Sequence, residues 1–175
     1  SLDRPEIGVI DLDPDGNSFD RVIEVAHEVH RVLDQMKVAH FCKTSGATGI
    51  HICIPLGGKY EFDFVREFCE KVCRKVQEVF PSETSCERNP AIRKKKIYLD
   101  YMQNRRGQTL AAPYCVRPRS GAPVSTPLSW DELQPGIRPE HFHMRNTLER
   151  LERFGDLWLP VLESGVDLDQ CVKNF

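Results

Sequence analysis

Two aspartates one residue apart, Asp11 and Asp13, close the apolar run Ile7-Gly8-Val9-Ile10-Asp11-Leu12-Asp13-Pro14. Val9 and Ile10 are β-branched and Pro14 cannot extend a ladder, so the run predicts a buried strand with the acids at its exposed end. Alternation puts both carboxylates on one face, roughly 6–7 Å apart along the strand. Carboxylate oxygen is the ligand type of Mg²⁺ or Mn²⁺, and two such ions about 3.5–4 Å apart are the usual apparatus of nucleotidyl transfer. Asp13-Pro14-Asp15-Gly16 is also good turn chemistry, so the pair alone leaves both readings open.

Other stretches carry complementary groups. Lys43-Thr44-Ser45-Gly46-Ala47-Thr48-Gly49 offers one lysine, three hydroxyls and two glycines, with which backbone N–H groups and hydroxyls can surround a phosphate. The Gly-Lys-Ser/Thr order of a Walker loop is absent, and a glycine-containing hairpin turn explains the composition as well. In Ile50-His51-Ile52-Cys53-Ile54 the isoleucines share one face, which leaves His51 on the other. Asp100 ends the run Ile97-Tyr98-Leu99-Asp100 and is the lone acid between Arg88 and Arg119, among nine Lys and Arg. It could supply the third carboxylate of a two-ion site, in surroundings that attract phosphates. Arg117-Pro118-Arg119 is extended, stiff and basic, suited to a phosphate contact.

The elements that must position these groups are legible in outline. A helix capped by Asn17 or Ser18 places Val22, Ile23, Ala26, Val29, Leu33 and Met36 at helical spacing, and Glu61 to Phe80 is a second amphipathic helix. Strands are expected over 7–13, 38–42, 50–55 and 94–101. A proline-rich course follows, then a short helix at 130–133 and a last one over 142–154. His27, His30 and Asp34 read as solvated surface of the first helix, His141 and His143 as a surface turn, and Cys69 with Cys73 as core and flank.

With 175 residues and 40% hydrophobic content, a single core is expected to form without staples. Seven cysteines, an odd number without a Cys-x-x-Cys pair, fit reduced thiols in an intracellular protein. No apolar run is long enough for a membrane span, and no signal peptide is indicated.

Taken together, the motifs resemble the polymerase/primase domain of bacterial DNA ligase D, in the archaeo-eukaryotic primase superfamily. The likeness runs through Asp11-Leu12-Asp13-Pro14, the stretch from Lys43 to His51, Tyr98-Leu99-Asp100-Tyr101, the stretch from Pro113 to Pro127, Arg145-Asn146-Thr147-Leu148 and Gly155-Asp156-Leu157-Trp158. It implies an α/β (α+β) fold: an RRM-like catalytic core whose mixed or antiparallel sheet is flanked by helices, with the acids on the open side. It also implies that Asp11, Asp13 and Asp100 are the catalytic, metal-binding carboxylates for two divalent cations, Mn²⁺ or Mg²⁺. Ser45, His51 and Arg117 would contact the triphosphate of the incoming nucleotide, assisted by Lys43 and the loop backbone. Where some members carry an arginine, this chain has Gln103.

The activity so implied is template-directed nucleotidyl transfer at DNA ends, in double-strand break repair by non-homologous end joining. Expected partners are primer-template DNA, ribo- or deoxyribonucleoside triphosphates, ligase and Ku-type end-binding proteins, in bacterial cytoplasm at the nucleoid and away from membranes. Residues 1–163 are expected to form the catalytic core and 164–175 a tail or linker. Family domains carry aromatic and basic groups ahead of the first acidic motif for stacking nucleotides and gripping the template, so this chain is expected to lack the usual N-terminal portion. A two-metal phosphoesterase or nuclease, and a catalytically inactive nucleotide- or DNA-binding fragment, are the alternatives.

Overall fold

The computed structural model describes residues 3–163 and 165–172. Its centre is a six-stranded sheet formed by β1 (Ile7–Asp13), β2 (Phe41–Thr44), β3 (Ile50–Pro55), β4 (Thr84–Ser85), β5 (Ile97–Asp100) and β6 (Pro127–Leu128), in the order β4-β5-β1-β3-β2-β6. All neighbours pair antiparallel except β4 and β5, so the sheet is mixed. The long helices α1 (Phe19–Gln35) and α2 (Phe62–Val79) cover one face. Among the described residues there are four further short α-helices, α3 (Pro90–Arg93), α4 (Thr147–Phe154), α5 (Leu159–Glu163) and α6 (Leu168–Val172), and a 3-10 turn at Pro139–His141.

The core follows from two periodicities. Every second strand residue, Ile10 and Leu12, Ile50, Ile52 and Ile54, Ile97 and Leu99, points at the helices and is almost fully buried. α1 answers with Val22, Ile23, Ala26, Val29 and Leu33, and α2 with Val65, Phe68, Cys69, Val72 and Val76. Ser18 caps α1, its hydroxyl accepting from the Arg21 N–H. At the other end Lys37 takes φ 57°, and the Val38 N–H closes the helix on the Leu33 carbonyl.

The opposite face is partly covered as well. Val9 and Cys53 form a small second cluster with Trp158 and Val161, flanked by Phe41. Asp156 seats this cover, since its carboxylate accepts from the Trp158 N–H at 2.9 Å and from the Tyr114 hydroxyl at 2.6 Å. The acid-bearing face is therefore open over only part of its area.

Several local expectations shift. The second strand is Phe41–Thr44, two or three residues later than expected, because Thr44 pairs with a distant segment: its N–H donates to the Thr126 carbonyl and its hydroxyl to the Val124 carbonyl. Lys94 and Lys95 adopt left-handed backbone and delay β5 to Ile97. Residues 130–133 form turns, held by the Ser129 N–H on the Glu132 carboxylate, and α4 begins only at Thr147 because His143 bridges to Pro123. His27 and His30 are not simply solvated: the His30 ring stacks on Trp130 at 4.2 Å, and its Nδ1 lies 2.6 Å from His40 Nε2. Within the stretch expected as a tail or linker, Leu168 is buried against the core and its N–H donates to the Tyr60 hydroxyl; residues 164 and 173–175 lie outside the described residues. All seven cysteines are free thiols, with Cys69 and Cys73 both buried. Among the described residues no helix is long and apolar enough to cross a membrane.

Candidate active site

β1 lies between β5 and β3, and the register sets Asp11 opposite Asp100 on one side and opposite His51 on the other. β2 extends the line by placing Lys43 opposite His51. Residues facing each other across an antiparallel pair project to the same side. Asp100, Asp11, His51 and Lys43 thus form one transverse row over four strands. One step toward the end of β1, Asp13 faces Tyr98. One step the other way begins the apolar cluster under Trp158, so the row sits at the boundary between covered and open sheet.

Crowding and burial shape the charges in this row. The Asp11 carboxyl is pushed up to about 7, first by burial and then by the negative charges of Asp100 and Asp13. Asp100 is also raised by burial, although its carboxylate accepts from the Met102 N–H at 2.8 Å. His51 Nε2 lies 3.5 Å from Asp11 Oδ1. The imidazole is driven down to about 2 by burial and by the nearby charges of Lys43 and Arg117, which keeps it neutral. Lys43 is lowered to about 8 chiefly by burial, with the Arg117 charge acting in the same direction.

Among the described residues, no three His, Cys, Asp or Glu side chains already close into a metal coordination sphere. The donor set nevertheless suits a hard divalent cation: three carboxylates gathered on one face, with Asp11 destabilised as an anion by the other two. A cation placed there would relieve that repulsion.

Beside the row is a cavity of about 240 Å³ lined by Asp11, Asp13, Ser45, His51, Gln103 and Arg117, with the 109–111 strip at its rim. The Ser45 hydroxyl oxygen accepts from the N–H groups of Ala47 and Gly49 at 3.1 and 3.0 Å, which folds the loop and leaves the O–H hydrogen to donate elsewhere. Two glycines are needed for this packing. Gly46 has φ 68°, and a Cβ there would stand 2.6 Å from Arg117 Cγ and 2.8 Å from the Ser125 nitrogen. A Cβ on Gly49 would stand 2.2 Å from the Leu12 carbonyl oxygen. Arg117 thus lies directly across the glycine loop, and among the described residues its guanidinium makes no hydrogen bond. It is a cation without a fixed partner at the mouth of a carboxylate-lined cavity.

Of the residues singled out from the sequence, Asp11, Asp13, Ser45, His51 and Arg117 meet at the cavity, and Asp100 joins them through Asp11. Lys43 does not line the cavity: it is fully buried in β2 rather than in the loop. Sequence reasoning missed Ser125, which accepts from Lys43 Nζ at 2.7 Å, and Asn104. The Asn104 amide mimics a strand, donating to the Val9 carbonyl and accepting from the Val9 N–H, and so ties the segment after Asp100 to β1. Gln103, at the position where some family members carry an arginine, lines the cavity with its buried Oε1 unpartnered.

The chain is similar to proteins already known. A family model described as the LigD primase-polymerase domain matches residues 1–158. The chain is 33% identical over 161 residues to the multifunctional non-homologous end joining protein LigD of Pseudomonas aeruginosa, covering 90% of this chain and 19% of that protein. It is 32% identical over 154 residues to the bifunctional LigD of Bacillus subtilis, covering 87% of this chain and 25% of the relative. The polymerase domain of Mycobacterium tuberculosis ligase D, solved in complex with DNA, superposes with a TM-score of 0.84 at 27% identity, over 93% of this chain and 57% of that one. The chain therefore spans only a fifth to a quarter of the length of these curated relatives.

Proposed function

Because this chain belongs to the LigD primase-polymerase domain family, we propose that it is a nucleotidyltransferase core that adds nucleotides to DNA 3′ ends during double-strand break repair by non-homologous end joining. The observation that carries this reading is the row Asp100–Asp11–His51, with Asp13 beside it, opening on the cavity under Ser45 and Arg117. Three carboxylates next to a neutral histidine, a donating hydroxyl and a free guanidinium make a site with separate poles for cations and for phosphates.

Asp11, Asp13 and Asp100 would hold two divalent cations, Mn²⁺ or Mg²⁺. Bound there, the cations supply charge neutralisation at the triphosphate and lower the pKa of the primer 3′ hydroxyl. The remaining work falls to the side chains of the chain itself. His51 Nε2–H and the Ser45 O–H donate to triphosphate oxygens, and Arg117 adds a planar, charged donor across the loop. Ser45 and His51 are held in place before substrate arrives, so they orient the phosphates in line with the incoming hydroxyl, while Arg117 helps to spread the charge that grows on the departing pyrophosphate. Partners on this reading are primer-template DNA ends, nucleoside triphosphates, and the ligase and end-binding proteins of the same pathway, placing the work at the bacterial nucleoid.

Extension of a labelled primer by one or more nucleotides, with Mn²⁺ and a nucleoside triphosphate, tests the proposal. The expected result is a lengthened strand with wild type and none with Asp13→Ala. Shortening of the strand would replace the proposal with a phosphoesterase. Equal extension by both proteins would remove Asp13 from the site.

A further inference from the structure

We propose that Lys43 is a positioning residue rather than a triphosphate ligand: it fixes His51 in the tautomer that carries its proton on Nε2, facing Asp11 and the cavity. The inference rests on the nucleotidyl-transfer reading for its functional meaning, but its geometry stands on the contacts of one amino group.

An ammonium has three hydrogens and no lone pair. Lys43 Nζ has three acceptors around it: His51 Nδ1 at 2.8 Å, the Ala111 carbonyl at 2.9 Å and Ser125 Oγ at 2.7 Å. Every donor is used. The direction of each bond is also fixed, because Ser125 spends its own hydrogen on the Thr44 carbonyl at 2.8 Å and a carbonyl can only accept. His51 Nδ1 is therefore an acceptor, and in a neutral ring the hydrogen must sit on Nε2. That nitrogen is the one 3.5 Å from Asp11 Oδ1. Lys43 is fully buried, and the cavity is lined by His51 and not by Lys43. A phosphate could recruit Lys43 directly only by stripping it from one of these three acceptors, two of them, His51 Nδ1 and Ser125 Oγ, buried.

The arrangement explains a lysine at a position where the sequence alone suggests a phosphate clamp. It reaches the nucleotide through the imidazole, and it also pins the 109–111 strip, through Ala111, to the rim of the same cavity.

The test has a readout independent of catalysis. Long-range ¹H–¹⁵N correlation spectra of the histidine rings, recorded on the intact chain at neutral pH without nucleotide and with His51 assigned through H51A, report the tautomer. The expected pattern is a bare Nδ1 and a protonated Nε2; a protonated Nδ1 overturns the inference, and this arm needs no Lys43 variant to fold. Binding of a Mn²⁺–nucleoside triphosphate is then compared for K43M, H51A and the double variant. Each single change is expected to weaken binding about tenfold, the size of one charge-assisted hydrogen bond, and the double no more than either. Losses that multiply would make Lys43 a ligand in its own right and overturn the proposal, as would K43M binding like wild type. A wild-type chain with the expected tautomer that binds no nucleotide and extends no primer would sink the proposed function and leave the Lys43–His51 geometry standing; an active chain with the other tautomer would do the reverse.

Discussion

The same strands make the two faces of the sheet from alternate residues. Ile10, Leu12, Ile50, Ile52 and Leu99 face α1 and α2 and are buried with apolar side chains, while Asp11, Asp100 and His51, their immediate neighbours in sequence, face the other way together with Lys43. On the first face burial is favourable and interchangeable in detail, since apolar area removed from water stabilises whatever its pattern. On the second, burial raises the Asp11 carboxyl and depresses the His51 and Lys43 bases, so each group is held at a cost that the first face must offset. The difference teaches that one face supplies the stability and the other uses it for chemistry.

The comparison is broken most sharply by Asp11→Asn. Primer extension should fall on the order of a thousand-fold, because several kcal/mol of transition-state charge stabilisation depend on the cation pole, yet the melting temperature should not drop. A change of similar size but opposite kind is expected one residue opposite. Ile52→Ala, on the fully buried face, should cost about 2–5 kcal/mol of stability in a denaturant titration while leaving the nucleotide affinity of the folded fraction near wild type. Loss of affinity without loss of stability at Ile52 would mean that the faces are not separable.

Gly46→Ala probes the join between them. The new methyl must displace Arg117 or the Ser125 backbone from a position already at positive φ, so a loss of about 1–3 kcal/mol is expected, together with weaker nucleotide binding. The smallest effect sharpens the electrostatic contrast. A carboxyl raised from 3.8 to about 7 binds its proton more tightly in the folded than in the unfolded chain, so its contribution to stability declines as pH rises from about 4 to 7. Measured as wild type minus Asp11→Asn, which cancels the opposite slope from His51, metal-free stability should fall across that window. Added Mn²⁺ should restore it by binding the ionised site.

Much of this was readable beforehand, for a physical reason. Period-two alternation in Ile7–Asp13, Ile50–Ile54 and Ile97–Asp100 already separates the two faces, and acids at two strand ends raise a cation site as one reading. What escaped depends on pairing between distant segments. Thr44 pairs with Ile50 in the hairpin and is also bonded by residues 124–126 from some eighty positions away, and nothing periodic marks that proline-rich stretch. Lys43 looked like part of a glycine-hydroxyl loop for the same reason: its burial is created by Ala111 and Ser125, which local sequence cannot bring near. Asn104, which substitutes for a strand residue against Val9, carries no sequence signal of that role. The cover over the second face by Trp158 was likewise invisible, because a single short helix decides it.

On the proposed function, Asp11, Asp13 and Asp100 share cations at the mouth of the Ser45–Arg117 cavity. The most direct test of this is anomalous diffraction from crystals of the chain soaked with Mn²⁺ and a non-hydrolysable nucleoside triphosphate. Manganese peaks are expected at coordination distance from all three carboxylates, with the triphosphate running toward Ser45, His51 and Arg117. Nucleotide bound elsewhere, or manganese that leaves Asp100 and Asp13 unliganded, would contradict it.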